Sequence, residues 1–293
     1  MRDLRIGSGI VAWRDVVPNS TPYEIVTKDG LTLRGVMAGP SHGRPVLLLH
    51  GGGQTRHSWN KTLKVLVDNG YRVLAYDARG HGDSDWSQTG DYAISTLSDD
   101  LLLILSALDQ PAALIGASMG GLTAFHAVGS AGPVAQALVM VDITLQPADE
   151  GVEKINRFMT AHLDGFATLE EAAQAVTAFK PGRPGRANPN GLARNLRKRA
   201  DGRLYWHWDP RVLDATGEGW LDELNHLSGG ISLPMLLLRG GRSDIVDDRG
   251  VDMMIEALPQ LEVVDVPGVG HMVVGDSNDA FNDGCLDFLR RCF

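Results

Sequence analysis

The chain has 293 residues, a hydrophobic fraction of 43% and a formal net charge of −9. This length suits one large domain with an insertion, and the acidic balance excludes a general attraction to nucleic acid or anionic membranes. The sequence shows no run of about eighteen apolar residues and no apolar leader near its start. We therefore expect neither a membrane span nor a signal sequence.

The two cysteines indicate the compartment. Cys285 and Cys292 are seven residues apart, which on one helix separates their Cα atoms by about 10.5 Å, beyond the ~7 Å that a disulfide can bridge. Two free thiols favour a reducing compartment, so we expect a cytoplasmic location. Metal-ligand patterns such as H-E-x-x-H or paired C-x-x-C are missing, so we expect no metal and no cofactor.

In chain order, residues 1–20 read as a loosely attached arm, and an Asp-Gly step then joins strands at 23–27 and 31–38. Beyond residue 45, apolar runs alternate with helical patterns, which predicts an α/β fold with a mostly parallel sheet covered by helices. The strands are predicted at 46–49, 73–76, 113–115, 137–141, 236–238 and 263–266. The helices are predicted near 58–69, 95–108, from 118, and near 251–257 and 280–288.

Residues 144–230 lack a clear strand pattern. A helix start at 168–173 has a threonine at the cap position and a glutamate three residues later, a Pro- and Gly-rich loop follows at 181–185, and a helix is expected near 191–199. We predict a core domain from residues 1–143 and 231–293, with residues 144–230 forming a helical cap over the active edge of the sheet. A pocket is expected where the two meet.

Two features of the predicted cap have alternative interpretations. A basic cluster is either a solvated helix face, which we favour, or an attraction for an anionic substrate. Its members are Arg183, Arg186, Arg194, Arg197, Lys198, Arg199 and Arg203. In the aromatic stretch at 205–208, Trp206 and Trp208 could line a substrate pocket or pack the cap against the core.

The most informative motif is G-x-S-x-G at residues 116–120. It follows an apolar run and precedes a helical pattern. A strand that turns sharply into a helix holds a serine hydroxyl above the sheet, and the flanking glycines let the backbone double back. We predict Ser118 as a nucleophile at the start of a helix, where free N–H groups favour negative charge.

A second glycine loop, H-G-G-G-Q at residues 50–54, follows a strand-like run at 45–49. Glycines at the carboxyl end of a strand let backbone N–H groups approach the oxyanion that forms in acyl transfer. We assign these donors to Gly52 and to Met119, the residue after the serine, with Gly53 as the alternative to Gly52.

A base is predicted at His271. A serine hydroxyl needs a neighbour with a pKa near ~6.5, which histidine provides. His271 follows a strand-like run at 261–266 and a loop of small residues, which allows close approach to another loop. His50 is interpreted as an organiser of its glycine loop, and His126 falls inside the helix after the serine.

An acid that orients the histidine is predicted at Asp244, which follows the apolar run 234–238 and two glycines. The chain order Ser118, Asp244, His271 is the order expected for this type of triad. Asp142, at the end of the strand near 134–141, is the alternative acid, and we favour Asp244 because of its glycine loop.

Together these motifs resemble the α/β-hydrolase fold family. The D-x-R-G-x-G-x-S pattern at residues 77–84 is similar to the branch that contains non-haem haloperoxidases (perhydrolases), small esterases, lactonases, C–C bond hydrolases and epoxide hydrolases. The resemblance implies a Ser-His-Asp hydrolase acting on a small molecule. Epoxide hydrolases and haloalkane dehalogenases use an aspartate nucleophile, so Ser118 argues against those activities and for an acyl-enzyme.

Several activities fit the same residues. Hydrolysis of a carboxylic ester or lactone is expected first, because it needs only the triad and the oxyanion donors. Perhydrolysis and C–C bond hydrolysis are alternatives within the family. The alternative of another class is a binding protein that keeps the triad as a ligand clamp.

Overall fold

The computed structural model describes residues 20–179, 189–214, 219–271 and 279–293. The predicted arm up to residue 19 and the predicted loop at 181–185 lie outside the described residues.

A central sheet of eight strands carries the fold. The sheet strands are β1 Thr21–Val26, β2 Thr32–Ala38, β3 Pro45–Leu49, β4 Arg72–Tyr76, β5 Ala112–Ala117, β6 Ala135–Val141, β9 Met235–Gly240 and β10 Leu261–Val266. Their order in the sheet is β1-β2-β4-β3-β5-β6-β9-β10. β1 pairs antiparallel with β2 and β2 pairs antiparallel with β4, and the remaining neighbours in this sheet are parallel. Two short strands, β7 Leu196–Lys198 and β8 Leu204–Trp206, form a separate antiparallel pair.

Helices cover both faces of the sheet. In chain order they are α1 Asn60–Asp68, α2 Ile94–Ser106, α3 Met119–Ala131, α4 Asp149–Thr160, α5 Leu169–Phe179, the single turn α6 Pro189–Leu192, α7 Trp220–Ser228, α8 Asp248–Ala257 and α9 Asp279–Cys292. In β3, Val46 and Leu48 belong to one apolar cluster with residues of α1 and α9, while Leu47 and Leu49 belong to a second cluster with residues of α2, α3 and α8. This two-sided burial is why the central strands are apolar at successive positions.

The predicted α/β architecture is confirmed, since each predicted sheet strand and core helix has a counterpart. Cys285 and Cys292 lie on α9 and are free thiols. Among the residues that the structure describes, no helix has both the length and the apolar character needed to cross a membrane.

The region between β6 and β9 is not purely helical, so the expectation of no strand there is wrong. The helix expected near 191–199 is the single turn α6, a short 3₁₀ turn and then β7, which pairs with β8. Leu196 and Leu204 join the fully buried Phe166 in a small apolar cluster. This packing outweighs the weak helical preference of the local sequence.

The last helix of the predicted cap contacts the core directly. Leu224 of α7 is buried in the same apolar cluster as α3, and a Cβ at Gly129 of α3 would lie 2.8 Å from Leu227. α4, α5 and the β7–β8 pair remain as the elements above the carboxyl ends of the strands. The domain boundaries at 143 and 231 stay a prediction.

Candidate active site

Ser118 sits on a sharp turn between β5 and α3. Its φ and ψ are 47° and −119°, a conformation that a non-glycine residue rarely adopts. The turn closes tightly, because a Cβ at Gly116 would lie 2.4 Å from the Gly120 carbonyl oxygen, and a Cβ at Gly120 would lie 2.4 Å from the Leu49 carbonyl oxygen. The two glycines are thus required by backbone approach, as the motif predicts.

His271 pairs with Asp142. The distance from His271 Nδ1 to Asp142 Oδ2 is 2.9 Å, and the Asp142 side chain is 1% exposed. Asp142 follows β6 with a φ of 51°, and among the described residues it and Ser118 are the only non-glycine residues with positive φ. Such strained conformations persist where surrounding contacts fix them, and they concentrate at functional sites.

Asp244, predicted as the acid partner, does not contact His271, and that prediction is corrected here. Its carboxylate forms an ion pair with Lys154 of α4, and both side chains are 42% exposed. The packing of the backbone explains why Asp244 faces Lys154. The Asp244 carbonyl oxygen lies so close to α4 that a Cβ at Gly151 would be 2.0 Å from that oxygen. The loop therefore presents Asp244 to α4, and the alternative residue, Asp142, faces the histidine.

Two further groups hold the Asp142 carboxylate. Gly240 N–H donates to Oδ1 at 2.6 Å, and Ser243 Oγ donates to Oδ2 at 2.6 Å. Ser243 Oγ in turn accepts from the N–H groups of Ile245 and Val246 at 3.1 Å each, which fixes its direction. Sequence reasoning missed Ser243, since a serine beside a predicted catalytic aspartate carries no distinct signal of its own.

The glycine loop after β3 lies beside Ser118. A Cβ at Gly51 would lie 3.4 Å from Ser118 Cβ, and a Cβ at Gly52 would lie 3.9 Å from Met119 Sδ. Gly53 N–H donates to His81 Nε2 at 3.2 Å, so this N–H is already used. Of the two glycines considered as an oxyanion donor, Gly52 is the one that fits. Met119 is the first residue of α3, where N–H groups have no partner within the helix.

Two buried histidines support this loop rather than compete with His271. His50 Nδ1 lies 2.9 Å from the Gly51 carbonyl oxygen, and its Nε2 accepts from Ala78 N–H at 3.0 Å. Burial lowers the pKa of His50 to about 4 and the pKa of His81 to about 3. Both rings are therefore neutral near pH 7 and use a ring nitrogen as an acceptor for a backbone N–H. The interpretation of His50 as an organiser of its loop fits this geometry.

The D-x-R-G-x-G-x-S segment forms a buried polar network behind the site. Asp77 Oδ1 accepts from Arg56 N–H at 2.6 Å, and its Oδ2 accepts from Asp83 N–H at 2.9 Å and forms an ion pair with Arg56. Arg79 binds Asp100 through two hydrogen bonds of 2.6 and 2.7 Å. These contacts fix the loop that follows β4. The motif therefore supports the shape of the site and supplies no reacting group.

A cavity of about 690 Å³ lies between the core and the elements above it. Ser118, Met119, His271 and Gly52 line it, as do Trp206 and Trp208. Much of the remaining wall is apolar, and it includes Leu122, Ile143, Val152, Ile155, Phe158 and Trp220. This volume and lining are typical of small-molecule sites.

The basic cluster separates into residues with different surroundings. Arg197 donates to the Gly82 carbonyl, Arg203 donates to the carbonyls of Asp164 and Gly165, and Arg199 stacks on the Tyr205 ring. Arg194 instead lines the cavity. Two other members, Arg183 and Arg186, lie outside the described residues.

Comparison with known proteins identifies the family of this chain. The sequence model of the alpha/beta hydrolase fold family matches residues 44–277. Esterase Rv0045c of Mycobacterium tuberculosis is 31% identical over 210 residues, which cover 70% of this chain and 68% of the esterase. A probable protein phosphatase methylesterase 1 of Caenorhabditis elegans is 28% identical over 255 residues, or 83% of this chain and 68% of that protein.

Solved structures show the same fold. The crystal structure of esterase Rv0045c superposes with a TM-score of 0.74 at 27% identity, covering 93% of this chain and 92% of that one. An E-2-(acetamidomethylene)succinate hydrolase superposes with a TM-score of 0.82, but at 22% identity it informs the fold alone. The family match and the esterase relatives support hydrolase activity, and the chain belongs to the alpha/beta hydrolase fold family.

Proposed function

We propose that this protein is a serine hydrolase that cleaves small carboxylic esters through an acyl-enzyme, with Ser118, His271 and Asp142 as its triad. The observation that carries the proposal is the 2.9 Å contact between His271 Nδ1 and the buried Asp142 carboxylate. It occurs at a histidine that lines the same cavity as the strained Ser118.

The first half-reaction transfers the acyl group to the enzyme. Ser118 Oγ attacks the ester carbonyl carbon while its proton passes to His271 Nε2, and Asp142 stabilises the imidazolium through Nδ1–H. The N–H groups of Gly52 and Met119 hold the oxyanion. Collapse breaks the bond to the alcohol oxygen, which takes the proton from His271.

The second half-reaction releases the acid. A water molecule loses a proton to His271 and attacks the acyl carbon, which forms a second oxyanion at the same two N–H groups. Collapse breaks the bond between the acyl carbon and Ser118 Oγ, and His271 returns its proton to that oxygen. Each half-reaction uses the imidazole once as a base and once as an acid.

The cavity and the relatives support this proposed substrate class. An apolar wall suits the hydrocarbon part of an acyl group, and two of the relatives are an esterase and a probable protein phosphatase methylesterase. We expect p-nitrophenyl esters of medium acyl length to be better substrates than the acetate, because more of the acyl chain is then removed from water.

The test is the turnover of p-nitrophenyl hexanoate by the wild type and by Ser118→Ala. We expect kcat to fall by on the order of 10⁴ or more, because the nucleophile is lost while the oxyanion donors remain. Circular dichroism of the variant serves as the control for folding. Unchanged turnover in a folded Ser118→Ala protein would rule out the acyl-enzyme.

A further inference from the structure

The charged groups that line the cavity have one sign. Among the described residues that form its wall, the charged side chains are Lys61 and Arg194, and no aspartate or glutamate is present. The chain as a whole carries a net charge of −9, so the lack of carboxylates among the described wall residues does not follow from the composition.

The two cations belong to two segments of the cavity wall that contact each other. One segment follows the glycine loop and includes Asn60 and Lys61, and the other contains Arg194 and Asn195. We refer to these two segments as the polar end of the cavity. Thr55 Oγ1 donates to Asn195 Oδ1 at 3.0 Å, which joins the two segments. The polar end is thus a fixed part of the wall.

Arg194 is held at this end by an amide. With the Asn60 amide oriented to satisfy both of its ends, the Asn60 oxygen accepts from Arg194 Nη1 at 2.8 Å and its nitrogen donates to the His57 carbonyl at 3.1 Å. Arg194 is half-buried. An arginine with a neutral partner at a cavity wall keeps its full positive charge for a ligand.

Nearby carboxylates do not belong to this end. Asp77 and Asp83 form ion pairs with Arg56, and Asp83 also lies 3.7 Å from Arg197. Neither of these two carboxylates lines the cavity. Among the described residues of the wall, the charged side chains are cations, and the Arg194 guanidinium favours an anionic group at this end.

We infer that the substrate is an ester whose acyl chain ends in a carboxylate, such as a monoester of a medium-length dicarboxylic acid. The inference deepens the proposed function and rests on it. The ester carbonyl lies at Ser118, the methylene chain contacts the apolar wall, and the terminal carboxylate binds Arg194 with support from Lys61. The acyl part stays bound to Ser118 after the alcohol leaves, so this end serves both half-reactions.

The test compares two esters of equal carbon number, the p-nitrophenyl monoester of adipic acid and p-nitrophenyl hexanoate. Shorter diacids are avoided, because their free carboxylate attacks its own ester. We expect the wild type to favour the adipate ester in kcat/KM. Arg194→Gln should lower the ratio of the two kcat/KM values about tenfold, as expected for loss of a hydrogen bond to a charged group.

Two further variants sharpen the comparison. Lys61→Gln should lower the same ratio by roughly twofold to threefold, because an exposed charge is screened by solvent. Arg199→Gln is the matched control: it removes one positive charge from a side chain that stacks on Tyr205 outside the cavity wall. We expect it to leave the ratio unchanged.

Failure of the inference is distinguishable from failure of the proposed function. If hexanoate turnover depends on Ser118 but the ratio in the wild type is below one and Arg194→Gln does not lower it, the inference is overturned while the serine hydrolase stands. If neither ester is turned over, binding to Ser118→Ala decides, measured by the fluorescence of the tryptophans in the cavity. Tighter binding of monomethyl adipate than of methyl hexanoate, lost with Arg194→Gln, supports the inference, and equal binding overturns it.

Discussion

The ends of β6 and β9 each carry an aspartate, and the two differ in almost every physical respect. Asp142 is buried in a left-handed conformation and accepts hydrogen bonds from Gly240 N–H and Ser243 Oγ, with His271 Nδ1 beside it. Asp244 is exposed and pairs with Lys154. The direction of the backbone at the end of each strand therefore decides which carboxylate meets the histidine.

The energetic consequences of the two positions differ as well. A buried carboxylate is costly unless hydrogen-bond donors surround it, so the Asp142 site must be built around the charge. An exposed ion pair such as Asp244–Lys154 contributes about 0–1 kcal/mol to stability. The donors around Asp142 therefore compensate for the burial of its charge, whereas the Asp244 ion pair stabilises the position of α4 only slightly.

The largest expected difference in activity is between the variants that neutralise Asp142 and Asp244. Asp142→Asn should lower kcat/KM for p-nitrophenyl hexanoate by on the order of 10⁴, because an amide no longer stabilises the imidazolium and can favour the wrong histidine tautomer. Asp244→Asn should change it by less than about threefold, as should the control Lys154→Gln, since both groups lie at the surface. A large loss in Asp244→Asn with a small one in Asp142→Asn would reverse the assignment.

A smaller effect is expected from the glycine that joins the two strand ends. In Gly240→Ala the new Cβ would lie 2.8 Å from the carbonyl oxygens of Val269 and Gly270, so the loop that carries His271 must move. We expect a loss of roughly 10²-fold in kcat, because such displacements misalign the reacting groups. Gly230→Ala is the matched control, since its Cβ meets only the Leu227 carbonyl at 3.8 Å. Equal activity of the two variants would contradict the proposed contact.

The smallest effect is expected at Ser243, which acts through Asp142 as a positioning residue. Ser243→Ala removes one donor to Oδ2 and should lower kcat/KM by roughly tenfold. The loss should fall on kcat and leave KM unchanged, because Ser243 holds the Asp142 carboxylate and does not line the cavity. Ser243→Thr keeps the hydroxyl and should restore kcat. A lower rate that Ser243→Thr fails to restore, or a loss that falls on KM, would contradict this positioning role.

Much of this site could be predicted from the sequence, because its motifs are local. The turn at Ser118 needs glycines where the backbone approaches itself, and the loop at Gly52 follows a buried strand, so both leave a readable pattern. The parallel sheet follows from the alternation of apolar runs and helical patterns. These features depend on neighbours within a few residues.

The choice of acid could not be predicted in the same way. Asp142 and Asp244 both follow buried strands, and the glycines before Asp244 made it look better placed for close approach. What separates them is the positive φ at Asp142 and the packing of the Asp244 carbonyl on α4, and neither leaves a local pattern. The β7–β8 pair was missed for the same reason, since it depends on packing around the distant Phe166.

The proposed catalytic site depends on the contact between the His271 imidazole and the Asp142 carboxylate. Proton NMR of the wild type, Asp142→Asn and Asp244→Asn tests it directly, because a histidine N–H that donates to a buried carboxylate gives a resonance far downfield of the amides. We predict that this resonance is present in the wild type and in Asp244→Asn, and that it is lost in Asp142→Asn. Its persistence in Asp142→Asn together with its loss in Asp244→Asn would contradict the account.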